Sequence, residues 1–329
     1  MVEKRVGRKY DFDLNESKLT EMVLTAYNAA INRQGIFTGD YLRFLPQWNL
    51  PTELEYNPRK IETKDPEQTA KYLWTCAFFE RLNQSKIIME NATKVWYSPK
   101  KNWIFDSSKV CQAKEALVEQ IIRRDFQFNL QGRREAPPVE RFCNNAKLIV
   151  EKYDCDPRNL IKDNTVEQAR KNLIEFEGIG SGIANLFIIY MIERNIALPK
   201  DPHNALLKVD IHKGRLPINC NAIIPHNGEI HRDSSYTDKL EKAYREICQS
   251  HKLDSITLDD TLWIIGSEIC AKMDYTQCKM NCPLFNICEA NTPEDRNTGR
   301  YIITKNGKRI DSRKHKEQLT LPFIDNSVD

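Results

Sequence analysis

The segment Glu177-Gly178-Ile179-Gly180-Ser181-Gly182-Ile183-Ala184-Asn185 joins two patterned stretches, Thr165 to Phe176 and Ser181 to Ile192. Both stretches carry apolar residues at three- and four-residue steps, the spacing of helices with one buried face. Gly178 and Gly180 bracket Ile179, and glycines at such a junction permit positive φ and a tight turn. The turn leaves the first backbone N–H groups of the second helix without partners. Those donors, with the helix dipole, can hold an anion such as a phosphate. Ile179 is expected to anchor the turn in the core. An ordinary helix–turn–helix connection would use the same glycines for geometry alone.

Working outward, the chain reads as mostly helical. Further periodic stretches run from Ser17 to Ile31, Gln68 to Leu82, Ser85 to Val95, Lys109 to Ile122 and Pro138 to Lys152. Two more run from Asp238 to Gln249 and from Thr257 to Cys270. Ser17 and Thr165 are expected N-caps. Residues 32–65 are rich in proline and aromatics, including Phe37, Tyr41, Phe44, Trp48 and Tyr56. That composition predicts an ordered, irregular insertion, because a flexible linker carries few aromatics. After Cys288 the sequence turns polar and basic, as a tail does.

The composition excludes several classes. With 329 residues, 40% hydrophobic and 29% charged, the chain suits a soluble globular protein with one large core or two modest ones. No run approaches the ~20 apolar residues of a membrane span, and Met1-Val2-Glu3-Lys4-Arg5 opens no signal peptide. A cytoplasmic protein is expected. The net charge of +3 does not by itself call for nucleic acid. Basic residues do cluster, at Arg123-Arg124 with Arg133-Arg134 and from Lys305 to Lys316, where a solvated face or linker is the plain alternative.

Two further features carry chemistry. Asp210 lies in Val209-Asp210-Ile211-His212, about thirty residues beyond the hairpin. An Asp there serves as an N-cap, or as the carboxylate that stabilises an oxocarbenium-like sugar and activates water. Ten cysteines in a cytosolic chain are not expected to be disulfides. Six of them, Cys76, Cys111, Cys143, Cys155, Cys220 and Cys248, are scattered, and several, within apolar helical patterns, read as small core residues. The other four, Cys270-x7-Cys278-x3-Cys282-x5-Cys288, form a compact set of thiolates. Both zinc and a 4Fe–4S cluster accept four cysteines. The paired Cys-x2-Cys spacing of a zinc knuckle is absent, and uneven spacing suits a cluster wrapped by one peptide.

In this order the motifs resemble the endonuclease III family, the helix–hairpin–helix DNA glycosylases. The family pattern is Leu-x-Gly-Val-Gly-x-Lys-x-Ala, then Val-Asp-Thr-His-x-x-Arg, then Cys-x6-Cys-x2-Cys-x5-Cys. Here the matching segments are Phe176 to Ala184, then Val209-Asp210-Ile211-His212-Lys213-Gly214-Arg215, then the four cysteines. The resemblance spans residues 67 to 290. It implies an all-α, two-lobed helix–hairpin–helix fold ending in an iron–sulfur loop. The implied division is 1–66, the N-terminal helix and insertion; 67–208, a helical lobe with the hairpin; 209–290, a second lobe with the cluster; and 291–329, a basic tail. The resemblance implies a 4Fe–4S cluster on Cys270, Cys278, Cys282 and Cys288, with Asp210 as the catalytic carboxylate. Gly178, Ile179, Gly180, Gly182, His212 and Arg215 fall at DNA-contacting motif positions. The family's Schiff-base lysine falls at Gly182, which implies a monofunctional enzyme whose Asp activates water. Each of the first two cysteine gaps is one residue longer than the family's.

Family members flip a base out of the duplex and fill the hole with a side chain. Asn83 or Gln84 is the expected plug, and Glu80 a second candidate catalytic acid; an ordinary helix end reads the same way. The implied partner is duplex DNA carrying a target base, bound by a monomer associated with the nucleoid. The competing expectation is a DNA-binding module that keeps hairpin and cluster without catalysis. In the tail, Gln318-Leu319-Thr320-Leu321-Pro322-Phe323 resembles the bacterial sliding-clamp-binding hexapeptide Gln-Leu-x-Leu-x-Phe. It would dock Leu321 and Phe323 in an apolar pocket as an extended peptide.

Overall fold

The structure is a computed structural model that describes residues 12–41, 44–45, 50–51, 54, 56–57, 62–80, 85–127, 138–225, 234–272, 274–291, 301–303 and 309–311. The described residues are mostly helical. The first eight helices are α1 (Glu16–Ile31), α2 (Pro66–Phe79), α3 (Ser85–Trp96), α4 (Ser107–Gln112), α5 (Glu115–Arg124), α6 (Pro138–Tyr153), α7 (Val166–Ile174) and α8 (Ser181–Glu193). Then follow α9 (Ile211–Asn219), α10 (Ser234–His251), α11 (Ser255–Ile264) and α12 (Tyr275–Asn281). Among the described residues strand is confined to three antiparallel pairs, of which Phe12–Leu14 against Ile223–Pro225 is the one with a long chain separation. In that pair Asp13 stands opposite Ile224.

The chain forms two compact units. One is continuous, Leu42–Lys208; the other combines Met1–Tyr41 with Val209–Asp329. The continuous unit is built around α2, whose residues from Thr69 to Phe79 are all buried. Tyr72 stacks on Phe105, Trp74 meets Phe176 and Phe187 edge-on, and Phe79 packs on Phe126 and Phe142. α8 is apolar all round, with every residue from Ala184 to Met191 buried, so it runs through this core rather than over it. In the discontinuous unit α1 buries Leu19, Met22, Val23 and Ala26 and packs against α11 and α10.

Local chemistry explains most boundaries. Thr165 caps α7 as expected, accepting from the Gln168 N–H at 3.2 Å. The cap of α1 is Asn15, which accepts from Lys18 N at 3.1 Å. Ser17, the expected cap, lies inside the helix; Asn15 already holds extended backbone ahead of the first turn. The stretch Lys109 to Ile122 is two helices, because Ala113 and Lys114 both take extended backbone and cap α4 and α5 in turn. α11 does not run on to Cys270 as a plain helix. It passes into a wider π turn over Ile265–Ile269, where a side chain on Gly266 would collide with the His212 carbonyl. Within residues 32–65, Phe37 is fully buried and meets Tyr41 edge-on in the discontinuous unit. Leu50 and Leu54 join the core of the continuous unit. Trp48 and the side chain of Tyr56 lie outside the described residues.

Candidate functional site

The hairpin is held from both sides. Gly178 has φ +82°, a conformation that requires glycine. Ile179 is buried, 5% exposed, and its N–H bonds the Phe176 carbonyl at 3.1 Å. From α6 the buried Asn145 clamps the turn. Its Oδ1 accepts from Glu177 N at 2.9 Å, and its Nδ2 donates to the Glu177 carbonyl at 2.9 Å. Asn144 adds a bond from Nδ2 to the Glu177 carboxylate at 3.0 Å. This clamp has no counterpart in the sequence reading, because an asparagine within a helical pattern gives no sign of where its amide points.

Gly180 is the N-cap of α8, with φ −94° and ψ 176°. That is extended backbone which any residue adopts, so conformation does not explain the glycine. A Cβ built there meets nothing within 4 Å. The absence of a side chain therefore leaves the first N–H groups of α8 open to approach, and no side chain caps them. Gly182 follows, half-buried. A Cβ there would lie 4.0 Å from Cγ of Lys208.

Lys208 is the feature that sequence reasoning missed. No lysine stands within the hairpin motif, yet the chain brings this one beside Gly182. Its Nζ lies 2.9 Å from Oε2 of Glu80, whose side chain is 1% exposed. Tyr190 of α8 donates to Oε1 of the same carboxylate at 3.2 Å. Burial, and then the Glu80 charge, pushes the Tyr190 hydroxyl well above its usual range, so it stays a donor. Glu80 thus sits at the centre of a buried polar group of three. Asn83 and Gln84 lie outside the described residues, as do Arg133, Arg134 and the hexapeptide Gln318 to Phe323.

In the discontinuous unit Asp210 is the N-cap of α9. Its Oδ1 accepts from His212 N at 2.8 Å and Lys213 N at 3.0 Å. His212 packs edge-on to Trp263, with ring centroids 5.6 Å apart. Burial holds its imidazole below the usual histidine pKa, against the opposing pull of Asp210. Arg215 donates Nε to the Ile211 carbonyl at 3.3 Å, within its own helix. Lys213 and Asp259 form a buried ion pair at 2.5 Å that fastens α9 to α11.

α9 ends at the cysteines. Cys270, Cys278, Cys282 and Cys288 line one small cavity with Leu216, Leu284, Asn219 and Cys220. Four of the five thiols are buried, and Cys282 is half-buried. Asn219 donates Nδ2 to Sγ of Cys270 at 3.1 Å. No carboxylate or imidazole lines the cavity. Thiols, two leucines and an amide N–H directed at sulfur form the kind of donor set that suits an iron–sulfur cluster. Among the described residues no group of three or more His, Cys, Asp or Glu side chains is placed to hold a metal ion. Cys220, expected to be a scattered core residue, belongs to this cavity; its place at the end of the helix that Asp210 begins was the available sign. Among the described residues no helix is long and apolar enough to cross a membrane.

The chain matches no protein-family profile, and no curated protein matches it.

Proposed function

We propose that this protein is a DNA glycosylase that flips a damaged, mismatched or modified base from the duplex and hydrolyses its N-glycosidic bond. The observation that carries the reading is Gly180: a side-chain-free helix N-terminus, on backbone that does not need glycine, with open space above it. That feature suits close approach of a phosphate to the N–H groups of α8. The Val209–His212 segment supports the catalytic half, since it sets a carboxylate at the start of α9 with one oxygen fixed by two backbone N–H groups.

In this reading the base leaves with the electron pair of the glycosidic bond. The Asp210 carboxylate stabilises the positive charge that develops on the sugar. It then takes a proton from the water that attacks the anomeric carbon. Lys208 does not act as a Schiff-base nucleophile, because an ammonium held by a buried carboxylate has no free electron pair to offer. Glu80 spends its carboxylate on Lys208 and Tyr190, which favours holding that lysine over donating a proton.

Cys270, Cys278, Cys282 and Cys288 are proposed to hold a 4Fe–4S cluster. When bound, such a group cross-links the loop that ligates it and supplies a redox-active centre. The tail hexapeptide is proposed to dock a sliding clamp, which a fluorescence-polarisation titration of the tail peptide tests.

The deciding experiment incubates the protein with duplexes carrying a panel of damaged and modified bases, then cuts abasic sites with alkali. Mass spectrometry of the released base names the substrate. Asp210→Asn is expected to lower base release by about 10²–10⁴-fold while DNA binding persists. Borohydride is expected to trap no enzyme–DNA adduct. Binding without base release across the panel would leave a non-catalytic DNA-binding module; a trapped adduct would return Lys208 to the mechanism as an amine.

A further inference from the structure

The cysteine cavity has one thiol more than a four-cysteine cluster uses. The fifth, Cys220, comes from the end of α9 rather than from the loop that carries the other four. Its neighbour within the set is specific. The N–H of Glu289 bonds the carbonyl of Asn219 at 2.8 Å, which ties the backbone beside Cys288 to the backbone beside Cys220. Cys220 lines the same small cavity as Cys288. Cys278 and Cys282 are a separate pair, one turn apart at the end of α12, where the Cys282 N–H bonds the Cys278 carbonyl at 2.9 Å.

This corner also borders a second pocket. Cys220 and Cys288 line a second, open pocket, walled by polar residues that include Lys18, Glu21 and Glu289. They are the two cysteines that line both that pocket and the cavity. A solute entering from this side therefore meets Cys288 and Cys220 before it meets Cys270, Cys278 or Cys282.

We infer that Cys220 is an exchange ligand for Cys288, able to take over its corner of the cluster. The inference rests on the reading that a 4Fe–4S cluster fills the cavity. In the exchange Cys288 gives up its bond to iron and Cys220 forms one. The proton that Cys220 gives up ends on Cys288, whose sulfur has left iron. Charge and electrons balance with no outside reagent. The consequence is that a lesion at Cys288 does not empty the site.

The test uses the full-length chain purified without air, as wild type, Cys220→Ala, Cys288→Ala, Cys288→Ser, Cys278→Ala and the double variant Cys220→Ala/Cys288→Ala. Iron, acid-labile sulfide and visible thiolate-to-iron absorbance are measured, with circular dichroism to check folding. Wild type, Cys220→Ala and both single Cys288 variants are expected to keep their iron and sulfide. Cys278→Ala and the double variant are expected to lose them. A shifted electron paramagnetic resonance spectrum in Cys288→Ala, absent from Cys220→Ala, would mark the changed ligand. Loss of iron from both single Cys288 variants overturns the inference, as does loss from Cys220→Ala alone. A double variant as full as wild type also overturns it. Wild type without iron, or with stoichiometric zinc, overturns the cluster reading itself and is distinguished by that control.

Discussion

In the proposed reading the hairpin around Gly178 and the loop around Cys278 each hold a ligand, by opposite means. The hairpin is held together by the chain's own contacts. Ile179 is buried in the core, Asn145 clamps Glu177 on both backbone sides, and α8 is buried from Ala184 to Met191. The cysteine loop has α12, only seven residues long, and short 3-10 turns around a cavity walled largely by sulfur. Two leucines supply its apolar lining. A cluster bound there would supply much of the loop's order, as metals do in small folds. The difference teaches that damage to the first site should be read in affinity, and damage to the second in stability.

The largest expected effect tests the second half of that contrast. Cys278→Ala should empty the site and lower the melting temperature by about 10 °C or more, a loss of several kcal/mol. An unchanged melting curve would mean that the loop is as self-sufficient as the hairpin. Next comes Asn145→Ala, which leaves the N–H and carbonyl of Glu177 without their partner. A cost of about 1–3 kcal/mol is expected by chemical denaturation, with weaker DNA binding. Gly180→Ala sharpens the contrast further. Open space around the added methyl keeps the stability loss to about 0.5 kcal/mol, while DNA affinity should fall about tenfold. Equal losses in stability and affinity would show that the glycine serves the turn rather than the ligand.

The smallest effect is a pH dependence at His212. Its folded pKa is depressed by burial, with Asp210 opposing and Arg215 and Lys213 adding to the depression. Protonation therefore favours the unfolded chain. The stability from this site is complete above the unfolded pKa of about 6.5 and is lost as pH falls below it. His212→Gln should flatten the slope of melting temperature between about pH 6.5 and 5 relative to wild type.

The sequence made the helices legible wherever one face alone is buried, as in α6 and α7, because periodicity records that burial directly. It showed the hairpin and the Asp210 segment because glycine and a capping carboxylate act locally. It did not show the break between α4 and α5, since Ala113 and Lys114 carry no glycine or proline to mark extended backbone. Nor did it show Lys208 beside Gly182, or Cys220 beside Cys288. Both meetings are set by how distant segments pack, and a linear pattern holds no trace of a contact between residues 182 and 208. Asn15 in place of Ser17 is the same lesson at short range: either residue caps well, and the backbone ahead of the helix decides between them.

The interrupted make-up of the unit that carries Asp210 has a consequence for how the chain comes off the ribosome. Met1–Tyr41 is synthesised first, but the rest of its unit begins only at Val209, after residues 42–208 have been made. At 5–20 residues per second that interval is on the order of ten seconds. For all of it the apolar face of α1, with Leu19, Met22 and Val23, lacks the α11 surface that later covers it. Strand Phe12–Leu14 waits as long for Ile223–Pro225. Residues 42–208 have no such delay and can collapse as they emerge. The newborn protein therefore carries a finished hairpin domain behind an unprotected leading helix, and that helix is where a chaperone would be needed.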